Sequence, residues 1–121
     1  MTWGNMTNLN SLFAAAAAAT LATNLASTPA HADDTGVAQS LHTVARVGGR
    51  QCLIDHAHAG SSAGLPSERA AKAEAIKSWA GFTAWEYGTD WANFRKAIKV
   101  SMRCSQSSSG WGCELSANPC K

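Results

Sequence analysis

The densest group of residues able to do chemistry is Asp55-His56-Ala57-His58, with His42 upstream. The alternation of Gln51 to Ala59 predicts a strand, and a strand sets every second side chain on the same face. His56 and His58 would then project together, as two ligands of a zinc or copper ion do, while Asp55 points to the other face. No second cluster of His, Cys or Asp at metal spacing accompanies them. The simpler reading is polar residues near a loop, and no metal or other cofactor is expected. Nucleophilic chemistry has less support. Ser105 to Ser109 is a polar run without a Gly-x-Ser-x-Gly elbow, and a serine needs a partnered base to act. The cysteines lack a Cys-x-x-Cys arrangement, which argues against redox catalysis. Paired carboxylates for glycoside hydrolysis need a cleft that so short a chain can hardly enclose. No catalytic residue is assigned, and the chain is not expected to be an enzyme.

Binding is the better use of these residues. Trp85 lies off the main apolar stripe of its segment and Trp111 sits at the lip of a turn, so both are candidates for exposure. Exposed tryptophans stack on sugars or anchor a protein partner. Lys99 and Arg103, with Arg95 and Lys96 nearby, could add a cationic stripe, partly neutralised by Glu114. The Ser105 to Gly110 loop is a third option, as the presented loop of a secreted inhibitor.

The element that must position most of these groups is Ala97 to Cys120. A turn centred on Ser108 and Ser109 sets Val100 opposite Ala117, Met102 opposite Leu115, Arg103 opposite Glu114 and Cys104 opposite Cys113. In that register Ile98, Val100, Met102, Cys104, Cys113, Leu115 and Ala117 share one face, and polar residues take the other. Facing residues of an antiparallel pair lie close enough for a disulfide. That geometry favours Cys104–Cys113, leaving Cys52 with Cys120, although three connectivities are open to four cysteines. The predicted third strand, Gln51 to Ala59, would lie beside the hairpin, followed by a turn over Gly60 to Pro66.

Ser67 to Tyr87 is the clearest helix. Alanine and straight-chain residues dominate it, Ser67 can cap its start, Glu68 suits its first turn and Gly88 its exit. Ala73, Ile76, Trp79, Ala80, Thr83 and Tyr87 form a stripe at spacings of three and four that can roof the hairpin. Thr89 to Phe94 predicts one further helical turn. Upstream, residues 33–50 are expected to be flexible or to hold a short helix from Thr35, with a strand over Val44 to Val47 turning at Gly48-Gly49 as the alternative.

Residues 1–32 have the form of a secretory signal: an apolar, alanine-rich run from Ser11 to Ala26, then Ala30-His31-Ala32 before a cut that would leave Asp33 first. The run is short and interrupted for a membrane span. All ten basic and eight acidic residues lie after it. A net charge of +2 is too mild for a dedicated nucleic-acid or polybasic membrane-surface binder. Four cysteines in a small exported chain read as two disulfides, the staples a limited core needs.

The landmarks Trp79, Tyr87-Gly88-x-x-Trp91, Cys104, Trp111-x-Cys113 and Ala117-x-Pro119-Cys120 resemble those of a group of short exported proteobacterial proteins without an assigned activity. The resemblance covers residues 67–120 and implies export and a shared fold, but no substrate. The expectation is therefore a small α+β domain over residues 51–121, with one main helix on a two- or three-stranded antiparallel sheet. It would be a periplasmic or secreted, non-catalytic binding module for a protein or envelope polymer, free of nucleic acid and not inserted in a membrane after cleavage. The alternatives are metal binding through His56 and His58, or inhibition through the Ser105 to Gly110 loop.

Overall fold

The computed structural model describes residues 32–121, so all of the expected signal segment except Ala32 lies outside the described residues. The order is α1 (Val37–Leu41), β1 (Val44–Val47), β2 (Arg50–Leu53), β3 (His58–Leu65), α2 (Glu68–Tyr87), two 3-10 turns (Thr89–Trp91 and Phe94–Lys96), β4 (Ile98–Ser107) and β5 (Gly110–Asn118). It is a small α+β domain: α2 lies on a three-stranded antiparallel sheet ordered β3-β5-β4, and β1-β2 form a separate hairpin. Among the described residues no helix is long and apolar enough to cross a membrane.

The C-terminal hairpin adopts the expected register from Ser107 opposite Gly110 back to Ser101 opposite Ser116, including Cys104 opposite Cys113. Both favoured disulfides, Cys104–Cys113 and Cys52–Cys120, are present. The register shifts between Ile98 and Ser101, where Lys99 takes a left-handed backbone with φ of 51°. That irregularity turns Val100 outward, half exposed, so it does not share the apolar face expected of it.

The third strand also differs. The run Gln51 to Ala59 is broken, since β2 ends at Leu53 and β3 begins only at His58. The segment read as a turn, Gly60 to Pro66, is mostly strand: His58 faces Ala117, Gly60 faces Leu115 and Ser62 faces Cys113 across β5. Its glycine and serines are there for packing. A β-carbon on Gly60 would lie 2.3 Å from the Ala75 carbonyl oxygen and 2.7 Å from Trp79 Cβ, so only glycine lets α2 come this close. Ser62 Oγ donates to the Ala71 carbonyl at 2.7 Å and accepts from the Cys113 amide at 3.0 Å, joining β3, α2 and β5 at one hydroxyl.

Ser67 caps α2 by accepting from the Ala70 amide at 3.1 Å. The buried line of the helix is Ala71, Ala75, Trp79, Thr83 and Tyr87, a strict spacing of four; Ala73, expected on this stripe, faces solvent. The small residues Ala71 and Ala75 sit over the sheet with Cys113, Leu115 and Ala117. Trp79 is fully buried, and its indole N–H donates to the Ala117 carbonyl at 3.0 Å, satisfying the one polar atom that its burial would otherwise strand. A second apolar cluster, Ala38, Leu53, Tyr87 and Trp91, joins α1 and the β1-β2 hairpin to the end of α2.

Residues 33–50 contain both the short helix and the strand that stood as alternatives, and β1 pairs with β2 across Gly48-Gly49. The incoming chain is held by the Thr35 amide donating to Tyr87 O and the Thr89 amide donating to Ala32 O, each at 3.0 Å. The outgoing end is held by Cys120 and by Lys121, which pairs with Asp34 and lies 5.0 Å above the Trp91 ring. Lys121 is the main reason the Asp34 carboxyl titrates well below the usual carboxylate range.

Candidate functional site

Because α2 covers one face of the sheet, the alternation of its strands leaves the other face open among the described residues. Along β3 the open positions are Ala59, Ser61 and Ala63; along β4 they are Ser101, Arg103, Ser105 and Ser107; along the central β5 they are Gly110, Gly112, Glu114 and Ser116. This face is not flat. The β3-β5 register shifts between Ser62 and Leu65, and a β-carbon on Gly112 would lie 2.7 Å from Ser62 O. The result is two adjoining hollows of about 440 and 430 Å³ that share Arg103 and Glu114. The first runs between Ala63-Gly64 and Ser105-Ser107 over the bare Gly110 and Gly112 backbone. The second continues past Ser61, Ser101 and Ser116. Together they follow seven residues of β5, a trough about 20 Å long at the usual strand rise.

Arg103 and Glu114 face each other across the two strands, yet they make no ion pair with each other. Both are exposed, and among the described residues a guanidinium and a carboxylate are left free for a ligand in the middle of the trough. The Ser105 to Gly110 tip is tied internally, with Ser107 Oγ 2.9 Å from Ser109 Oγ. Ser105 and Ser107 form one end of the trough wall.

The remaining candidate binding residues are distributed elsewhere. Trp85 is 71 % exposed on the side of α2 away from the sheet, its ring stacked on that of Phe82 at 6.1 Å and 14°. Trp111 is only partly exposed and packs against the main core. Lys99 spends its ammonium on the Ile54 carbonyl at 2.8 Å, closing the link between β2 and β3. The aromatic and cationic residues thus do not form one surface: Arg103 belongs to the trough and Trp85 to the opposite side. Ser61 joins Arg103 and Glu114 on this face only through the pairing of β3 with β5.

The histidines do converge, around the last turn of α2. His42 and His56 stack at 4.1 Å and 15°, and His56 meets His58 edge-on at 5.3 Å. His58 is buried between the rings of Phe82 and Tyr87, 4.7 and 4.6 Å away. Its Nδ1 lies 3.1 Å from Thr83 Oγ1, and its Nε2 lies 2.9 Å from Glu86 Oε2, off the line of a regular N–H hydrogen bond. The Tyr87 hydroxyl is 2.8 Å from His42 Nε2, and burial raises that phenol to about 12. Asp55 points away and accepts the Thr43 amide, which keeps its carboxyl low. Among the described residues no group of three or more His, Cys, Asp or Glu is arranged to hold a metal ion. No family model, curated protein or solved structure matches this chain.

Proposed function

We propose that this chain is an exported, non-catalytic binding module, and that it takes an extended, neutral, hydroxyl-bearing polymer of the cell envelope along the open face of β3-β5-β4. The observation that carries this reading is the pair of adjoining hollows sharing Arg103 and Glu114. Serine hydroxyls and bare glycine backbone recur along the trough between apolar stretches, which suits a ligand presenting donors, acceptors and ring faces. The one cation and one anion cancel, so a polyanion would meet Glu114 and gain little from Arg103. β5 is bonded on both sides, so an extended peptide on this face finds no unpaired main chain with which to add a strand. Two disulfides support a periplasmic or secreted location.

The test is an NMR titration of the oxidised protein with cellohexaose and with the hexamer of N-acetylglucosamine. Shifts confined to residues 59–63, 101–107 and 110–116 are expected with at least one of them. Replacing Arg103 by Ala should weaken that binding about tenfold or more, the scale of one charged hydrogen bond. No shift with either oligomer, or shifts centred on Trp85 and Phe82, would overturn the assignment of this face.

A further inference from the structure

The histidine group lies away from the trough and has its own logic, which follows from counting protons. Thr83 has a single hydroxyl proton, and it is committed to the Trp79 carbonyl 2.7 Å away. Thr83 Oγ1 can therefore only accept from His58, which puts a proton on Nδ1 at 3.1 Å. A neutral imidazole protonated at Nδ1 has a lone pair on Nε2. Yet Nε2 faces Glu86 Oε2 at 2.9 Å, and a lone pair against a carboxylate is repulsive. The contact is attractive only when the pair holds one more proton, as imidazolium and carboxylate or as imidazole and carboxylic acid. The geometry points to a one-proton latch between His58 at the start of β3 and Glu86 on the last turn of α2: protonated it draws the two groups together, and deprotonated it releases the Glu86 side chain to solvent.

The surroundings decide where it works. From α2 the pair is faced by Tyr87, a neutral phenol, and from the other side by His56 and then His42, with Asp55 beyond them. Glu86 and the flanking rings of Phe82 and Tyr87 favour a cation at His58. Burial and the two neighbouring histidines oppose it, and burial is the larger influence, so His58 titrates below the ordinary imidazole range. The latch is therefore open near neutrality and closes in acid. Glu86 is the movable partner, its side chain being 30 % exposed while that of His58 is 1 % exposed. Closing fixes the end of α2 that carries the exposed Phe82 and Trp85, and it tethers the strand whose outer face lines the trough.

The experiment follows the side-chain nitrogens of His58 by NMR from pH 4 to 8 in the oxidised protein and in Glu86→Gln, a change of the same size at a partly exposed position. In the parent the neutral ring should carry its proton on Nδ1, and the Glu86 carboxyl carbon should shift as His58 takes up its second proton. In Glu86→Gln the midpoint of that uptake should fall by about 1 in pH, the usual effect of losing an adjacent opposite charge. An unchanged midpoint, or a neutral His58 protonated on Nε2, would overturn the latch.

Discussion

Gly60→Ala adds one methyl group to a strand, and it should be among the most damaging substitutions in the protein. The added carbon would sit 2.3 Å from Ala75 O, 2.7 Å from Trp79 Cβ and 2.8 Å from Trp79 N. Non-bonded atoms settle at about 3.5 Å or more, and the nearest of these atoms is helix backbone, which cannot rotate aside. The whole helix must retreat by about 1 Å at its midpoint. That movement pulls the Trp79 indole from Ala117 O and loosens Ala71 and Ala75 over Cys113, Leu115 and Ala117. Overpacking of this kind costs about 1–3 kcal/mol, and a weakened buried hydrogen bond adds about 1 kcal/mol. A loss of about 3 kcal/mol is a large part of the 5–15 kcal/mol typical of a folded domain. Gly81 provides the internal control: it lies in the same helix with no atom within 4 Å of an added β-carbon. Gly81→Ala should therefore stabilise by about 0.5–1 kcal/mol through helix propensity. Urea denaturation followed by tryptophan fluorescence measures both. Equal midpoints for Gly60→Ala and the parent would refute the close approach of α2 to β3.

Two further outcomes concern the staples and acid. Replacing Cys104 and Cys113 by Ser opens a loop of sequence separation 9, worth about 2.5–3 kcal/mol in the loop-entropy relation. Replacing Cys52 and Cys120 opens a separation of 68 and should cost about 4 kcal/mol; the opposite order in denaturation midpoints would count against chain entropy as their main contribution. Acid should weaken the fold in two stages. Asp34, held low by Lys121, and His58, lowered by burial, both have depressed folded values. Each contributes stability above its unfolded value and loses it as pH falls through the folded one. The His58 contribution declines below pH about 6.5 and that of Asp34 below about 3.9. The proton that closes the latch does not reverse this sign, because buried His58 still binds it more weakly than the unfolded chain does. A urea midpoint that rises from pH 7 to pH 3 would contradict both assignments.

The sequence by itself determined the parts whose partners are near in the chain. Cys104 and Cys113 are nine residues apart, and alternation with a two-residue turn admits one register that pairs them. α2 follows from its alanines, its serine cap and the glycine after Tyr87, all local. Tertiary structure decided the rest. Gly60 to Leu65 has the composition of a turn, and it is a strand because β5, about fifty residues later, pairs with it and α2 needs bare backbone beneath Trp79. Lys99 leaves the expected pleat to reach Ile54 O across a separation of 45 residues, and Val100 turns outward with that bulge. His42 meets Tyr87 over the same distance. Periodicity specifies which side of an element is apolar, whereas which elements meet, and how closely, depends on contacts that no single stretch of chain contains.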